Sequence, residues 1–301
     1  MSRIFVSGLI NIETTVQIEA FPIAYEPVRY PFFGVRSTVS GVGYNVAKAL
    51  ATLGDTVRFA ALIGRDAAGA LVAERLRADA LPGEHVLATL EETAQSAILY
   101  DRAGRRMINT DLKDIQETAY PLERFEQAIE GCELAALCNI NYSRPMLAKA
   151  RRRGIPVATD VHAIDSLDDA YNRDFMAAAD ILFMSDERLP CAPEEWVRQL
   201  WSTFAAPIAV VGLGAQGALL AVRGDGFVGR FPAAHARPVV NTIGAGDALF
   251  SAFVHFYQAT AAPYESIRRA ITFASYKVGA AGAADGFLDA AALEALHASV
   301  W

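Results

Sequence analysis

Asn241-Thr242-Ile243-Gly244-Ala245-Gly246-Asp247 runs directly into Ala248-Leu249-Phe250-Ser251-Ala252-Phe253, and this junction decides how the chain is read. Pro238-Val239-Val240 before it reads as extended backbone, and the apolar run after it is rich in helix formers. Small residues at a helix start leave the first backbone N–H groups unshielded, and these groups together with the helix dipole attract anions. Asp247 falls in the first turn, where a carboxylate is stabilised as the anion and so available as a base. An anion cradle beside a carboxylate base is what phosphoryl transfer to a hydroxyl requires. A well-capped buried helix is the competing account, because Gly and Asp often start helices. The rest of the chain has to decide between them.

The 301 residues allow one large or two ordinary domains. A formal charge of −7 and the lack of a basic patch argue against nucleic acid as a partner. The densest basic run, Arg151-Arg152-Arg153, closes a helix-like segment before Gly154, where cations suit the dipole. No apolar window reaches the length of a membrane span, and Met1 to Gly8 has no secretory signal anatomy, so a cytoplasmic protein without a membrane partner is expected. Cys132, Cys138 and Cys191 form neither a CxxC nor a paired framework, which suits reduced thiols. The five histidines show no ligand spacing, so no transition metal held by the protein is expected.

In chain order, Ile4-Phe5-Val6 reads as a first buried strand, and Pro22, Pro27 and Pro31 break the following stretch into extended segments. Ser40-Gly41-Val42-Gly43-Tyr44-Asn45 reads as a glycine-rich turn into a helix from Val46 to Leu53, stopped by Gly54. Val57 to Ile63 gives a second strand, and Asp66 caps a helix reaching about residue 79. Residues 96 to 110 read as a hairpin. From residue 121 onward helices alternate with short apolar strands at 134–140, 156–160, 181–184 and 208–211, the rhythm of a parallel sheet covered on both faces. Ligands of such sheets gather at the C-terminal strand ends, which here include Asp160, His162 and the segment 185–187. The proline-rich segment and the hairpin do not fit this rhythm. They are expected to pair into a small β lid, with segments about 12–40 and 94–112 inserted in a single domain spanning 1–301. Arg105 and Arg106 suit either the substrate or a solvated turn, and Phe32 and Phe33 suit either stacking on a base or filling the lid's apolar side.

Gly212-Leu213-Gly214-Ala215-Gln216-Gly217 matches the dinucleotide fingerprint but is followed by a strand-like run rather than a helix, so the nicotinamide reading fails its context test. No Walker A sequence is present.

The chain resembles the ribokinase (PfkB) family of sugar and nucleoside kinases. Ser40 to Asn45 with its helix, Gly64-Arg65-Asp66-Ala67-Ala68-Gly69, and Asn241 to Asp247 carry the resemblance, in matching order and spacing over essentially the whole length. It implies an α/β ribokinase-like three-layer α/β/α core with a mostly parallel sheet and a protruding β lid. ATP with Mg²⁺ would phosphorylate a hydroxyl of a small sugar. A pseudouridine-like nucleoside kinase and a non-catalytic sugar- or nucleoside-binding protein on the same fold are the alternatives.

In that picture Asp247 takes the acceptor proton while the N–H groups of Gly244, Ala245 and Gly246 stabilise the transferred phosphoryl group. Asn11, Glu13, Gly41, Val42, Gly43, Asn45 and Asn141 form the acceptor pocket. Ser185, Gly212, Gly214, Gly217, Thr242 and Gly279 serve ATP, with Ala274 to Gly286 near the adenine. Mg²⁺ arrives with the nucleotide, held through water by Asp186 or Glu187. A homodimer through the lid is a further implication. The chain also departs from the family pattern. Glu13 stands in place of an aspartate, and Ser185-Asp186-Glu187-Arg188 in place of Asn-x-x-Glu. Asn141 replaces a glutamate. Asn241 replaces the aspartate that opens the motif and often helps hold a monovalent cation, which leaves potassium activation open.

Overall fold

The computed structural model describes residues 1–301. The chain opens with β1 (Arg3–Ser7), β2 (Asn11–Gln17), β3 (Val35–Ser40), α1 (Val42–Thr52), β4 (Thr56–Gly64), α2 (Ala67–Ala78) and β5 (Val86–Leu90). The hairpin β6 (Gln95–Tyr100) and β7 (Arg106–Asp111) follows. Alternation then sets in with α3 (Leu122–Ala128), β8 (Leu134–Leu137), α4 (Arg144–Arg152), β9 (Val157–Ala163), α5 (Arg173–Ala178) and β10 (Ile181–Ser185). After α6 (Pro193–Thr203) come β11 (Ile208–Gly212), β12 (Ala218–Val222) and β13 (Phe227–Phe231). Three helices end the chain: α7 (Ala245–Thr260), α8 (Pro263–Lys277) and α9 (Ala290–Val300). No helix is long and apolar enough to cross a membrane.

A nine-stranded sheet has the order β13-β12-β11-β10-β9-β8-β1-β4-β5, with β12 antiparallel to both its neighbours and every other pair parallel. Side chains alternate across it. Ile4 and Val6 of β1 join one core cluster with α1, α7 and α8, whereas Phe5 joins the cluster under α3 to α6. Phe5 meets Phe125 edge-on at 5.2 Å, and Phe183 of β10 meets Phe250 and Phe253 of α7 at 5.2 and 5.4 Å. These contacts seat α7, and with it the Gly244–Asp247 junction, over the sheet. Emptying such a site by Phe253→Ala would cost ~3–5 kcal/mol. Because β1 lies between β4 and β8, the chain leaves it toward one edge and returns on the other. Its C-terminal end is therefore the switch point where a crevice opens.

The second sheet, β3-β2-β6-β7, is the lid the sequence anticipated, spanning 11–40 and 95–111. β2 is parallel to β6, and register sets Asn11 opposite Ser40 and Glu13 opposite Ser96. The two-residue period turns Asn11, Glu13 and Thr15 inward as one buried row.

Several local expectations are corrected. The first helix starts at Val42 rather than Val46, because Gly41 takes φ 107° as its cap and the glycine-rich turn is already helical. Pro238 to Val240 is not a strand. Val239 and Val240 are exposed, and the N–H groups of Val240 and Asn241 donate to the Val278 carbonyl at 2.8 and 3.2 Å. Edge strands β5 and β13 escape the sequence reading, being short and half exposed. Phe32 and Phe33 are exposed and fill no lid interior.

Candidate active site

Gly244 caps α7 in the left-handed region, φ 75°, and a Cβ there would stand 2.5 Å from the Ala283 carbonyl oxygen. Only glycine fits this turn. The N–H of Ala245 turns back to the Thr242 carbonyl at 3.2 Å, while those of Gly244, Gly246 and Asp247 have no partner within the protein. Those unpartnered donors stand at the positive end of a 16-residue helix, a favourable position for phosphoryl oxygens.

Asp247 is buried, and its Oδ2 accepts from Asn45 Nδ2 at 2.7 Å. Burial raises its pKa above the ordinary carboxylate value, opposed by the Asn45 hydrogen bond and the charges of His162 and Lys277 and reinforced by Asp160. A raised pKa makes the ionised carboxylate a stronger base than one in water. From Asn45 the polar chain continues: Ser40 Oγ lies 3.4 Å from Asn45 Oδ1 and 3.1 Å from Glu13 Oε2, its proton shared between them. Glu13 is also pushed up by burial, offset by Ser40, with Asp247 raising it further. Asn11 Nδ2 donates to Ser96 Oγ at 2.7 Å, and that hydroxyl donates to Thr110 Oγ1 at 3.2 Å. The remaining oxygens, Asn11 Oδ1 and Glu13 Oε1, are buried without a partner. Two buried acceptors without donors ask for hydroxyl or amine hydrogens from a ligand.

The glycines of the first motif act through backbone approach. A Cβ on Gly43 would lie 2.3 Å from the Gly8 carbonyl carbon, and one on Gly41 would lie 2.6 Å from the Leu9 oxygen. They let the start of α1 press against the end of β1, which carries Asn45 to Asp247. Val42 is half-buried beside them. Asn141 stands apart from this chain of contacts: its amide donates to the Gln116 carbonyl at 3.0 Å and its oxygen accepts from Arg144 at 3.3 Å.

On the far side of Gly244, Gly214 and Gly217 hold positive φ of 54° and 96° in the turn between β11 and β12, with Gly212 ending β11. Ser185 Oγ accepts from the Glu187 N–H at 3.2 Å. Gly279 packs against Arg237, which lies 3.8 Å from the Tyr276 ring. Asp186 is half-buried, its side chain meets no other residue in a hydrogen bond or ion pair, and its pKa is raised by burial and by Glu187. No three His, Cys, Asp or Glu side chains converge as a metal site.

The lid is seated on this junction. Ile98 of β6 packs with Ile243 and Ala283. Arg106 donates to Thr242 Oγ1 at 3.0 Å and to Glu187 Oε1 at 3.2 Å. Arg106 is therefore engaged by protein side chains rather than solvated in the hairpin turn. Three further residues were not singled out by the sequence reading. Ser40 and Ser96 look like ordinary strand hydroxyls. Lys277, fully buried with its ammonium on the Ile243 carbonyl, ends a helix where a lysine normally reads as solvated. The one signal for it was a lone charge amid small and apolar residues.

The layered sheet, the lid and the glycine–aspartate cradle define a kinase that transfers phosphoryl groups to an alcohol of a sugar or nucleoside. The chain belongs to the pfkB family of carbohydrate kinases, whose profile matches residues 1–290. It is similar to an ATP-dependent ribose-1-phosphate kinase of Halopiger xanaduensis, 27% identical over 259 residues and covering 84% of each chain. Among solved structures it is similar to a microbiome-derived acarbose kinase, with a TM-score of 0.87, 26% identity and 99% of both chains covered. Arabidopsis thaliana ribokinase complexed with ribose and ATP shares the fold, with a TM-score of 0.81 at 21% identity over 98% of each chain.

Proposed function

We propose that this protein transfers the γ-phosphoryl group of ATP to a hydroxyl of a small sugar. The observation that carries this reading is the pair of unpartnered buried oxygens, Asn11 Oδ1 and Glu13 Oε1, in a polar network whose Glu13 branch runs through Ser40 and Asn45 to Asp247. A polyol supplies the donors these oxygens lack, and binding there sets one of its hydroxyls toward Asp247. The similarity to a ribose-1-phosphate kinase and an acarbose kinase supports a carbohydrate acceptor.

Asp247 takes the hydroxyl proton as the oxygen bonds to the γ-phosphorus. The bond from that phosphorus to the β–γ bridging oxygen breaks, and ADP leaves with its electron pair. The free N–H groups of Gly244 and Gly246 meet the charge on the transferring group, with no reorganisation needed at that moment. The Ala245 N–H serves if it turns away from Thr242. Ser185, Gly212, Gly214, Gly217, Thr242 and Gly279 form the nucleotide side. Asp186 is the carboxylate free to hold the waters of Mg²⁺, since Glu187 is engaged by Arg106. Bound there with the nucleotide, Mg²⁺ would neutralise phosphate charge. Val42 and Asn141 line the acceptor side less directly.

Three unpaired cysteines suit a reducing, cytoplasmic setting. A homodimer would use the lid's outer apolar residues, among them Tyr30, Phe32 and Met107, all exposed.

An ADP-release screen of pentoses, hexoses, their amino and deoxy forms and nucleosides including pseudouridine tests the function. ADP formation dependent on a sugar is expected. Activity confined to nucleosides overturns the sugar assignment. Ligand-induced thermal stabilisation without ADP from any acceptor overturns the enzyme reading in favour of a binding protein.

A further inference from the structure

We propose that Lys277 is a built-in cation for the phosphoryl cradle, a positioning residue whose ammonium replaces the monovalent ion for which position 241 would otherwise help provide. The inference rests on the kinase reading above for its catalytic consequence, and on geometry alone for its site.

Lys277 is the last residue of α8 and has no solvent exposure, although a lysine at a helix end ordinarily extends its ammonium into water. Its Nζ instead donates to the carbonyl of Ile243. That carbonyl and the N–H of Gly244 belong to one peptide unit, and in a trans peptide the two point in opposite directions. The ammonium therefore holds and polarises, from behind, the peptide whose N–H is unpartnered at the cradle. A donor aimed at the phosphoryl group gains from such polarisation because it is fixed before the reaction.

The surroundings call for positive charge. Asp247 of α7, Glu13 of β2 and Asp285 of the loop before α9 all act on Lys277 as anions, against Arg237 from the segment before the motif. Asn241 is in no state to host a free ion. Its Oδ1 accepts from the Ile243 N–H at 3.0 Å and its Nδ2 donates to the Ala281 carbonyl at 2.7 Å. It is neutral, and the amide ties the loop to the turn after α8. A potassium ion needs several free oxygens to replace its water, and a nearby anionic oxygen favours it. Here the Ile243 carbonyl is taken by an ammonium and Asn241 brings no charge, so the residues do not fit the ion while Lys277 is in place.

The full chain is assayed with Mg²⁺ and ATP as the tetramethylammonium salt, at constant ionic strength, with potassium or tetramethylammonium chloride added. Wild type is expected to change its rate by less than about twofold and to melt at the same temperature in both salts, since it has no site for potassium to occupy. Lys277→Ala leaves an ammonium-sized space beside the Ile243 carbonyl. Its turnover is expected to fall about 50-fold or more and to recover at least about 10-fold with potassium or ammonium, and its melting temperature to rise with either ion. Lys277→Met fills the space without charge, and loss of turnover with no rescue is expected. Potassium stimulation of wild type beyond twofold, or a Lys277→Ala protein whose melting and turnover ignore both ions, overturns the proposal. So does wild-type turnover by Lys277→Met. The melting comparison needs no acceptor, so a failure to find kinase activity leaves the cation site decidable.

Discussion

On the proposed acceptor side of Gly244 the site is wired by side chains; on the proposed nucleotide side it is shaped by backbone. Glu13, Ser40, Asn45 and Asp247 come from β2, β3, α1 and α7 and form one buried hydrogen-bonded path. Ser185, Gly214 and Gly217 instead lie at strand ends and in one turn, where positive φ at the two glycines does the shaping. A buried path fixes which hydroxyl is presented and tunes the base. A glycine-built cradle offers donors to any triphosphate and leaves binding strength to charge. Acceptor choice should therefore respond sharply to single side chains, and ATP binding only weakly.

The largest effect is expected at Asp247. Replacement by Asn keeps a partner for Asn45 but removes the base, and turnover is expected to fall ~10²–10⁴-fold, the usual range for losing a general base. Stability should move the other way. A carboxyl whose folded pKa is raised above its unfolded value contributes stability below the unfolded pKa and loses it as pH rises through the folded one. Above the folded pKa the buried carboxylate is thus a cost, and there a thermal melt of Asp247→Asn should lie above wild type.

Next is Glu13→Gln. It keeps the Ser40 contact but weakens an acceptor for a substrate hydroxyl, so kcat/KM for the sugar is expected to fall ~10–100-fold, the range of a hydrogen bond to a charged group. KM for ATP should hold. If both KM values rise together, the two sides are not built differently.

Lys277 separates the sides by pH. Burial brings its pKa down to about 8 from an ordinary 10.5. The native state loses the proton above about 8 while the unfolded chain keeps it to about 10.5. The unfolded state then binds more protons, and this group makes stability rise with pH in that window. Turnover that uses the ammonium should fall over the same window, giving an alkaline limb near pH 8 that potassium-rescued Lys277→Ala lacks.

The smallest effect is expected at Gly214, where an added Cβ meets nothing within 4 Å but φ is 54°. Gly214→Ala should cost ~1 kcal/mol of stability from the left-handed backbone alone. KM for ATP should rise a few-fold, with the acceptor's unchanged.

Sequence and structure agree where the signal is local. Gly244 to Asp247, the Asp66 cap on Gly69 at 2.9 Å and the lid hairpin each lie within a few residues that carry their own reasons. The sheet was legible because short apolar runs alternate with helices. The wiring was not. Asn45 and Asp247 are 202 positions apart, and Ser40, Ser96 and Lys277 take their roles from what the fold sets opposite them. Gly41 and Gly43 were placed in the acceptor pocket, and the backbone they let approach is that of residues 8–10, which no local pattern names. Val239 and Val240 read as extended from their β-branched side chains, but what fixes them is the distant Val278 carbonyl rather than a strand partner.

The central claim is that the acceptor side binds the sugar and presents one hydroxyl to Asp247, so binding and base chemistry are separable. Calorimetric titration of the best acceptor into Asp247→Asn, beside single-turnover transfer by the same protein, tests this most directly. The account predicts an affinity within about threefold of wild type, with transfer slower by at least ~100-fold. Wild-type transfer by the variant, or loss of acceptor binding in step with loss of transfer, would contradict it.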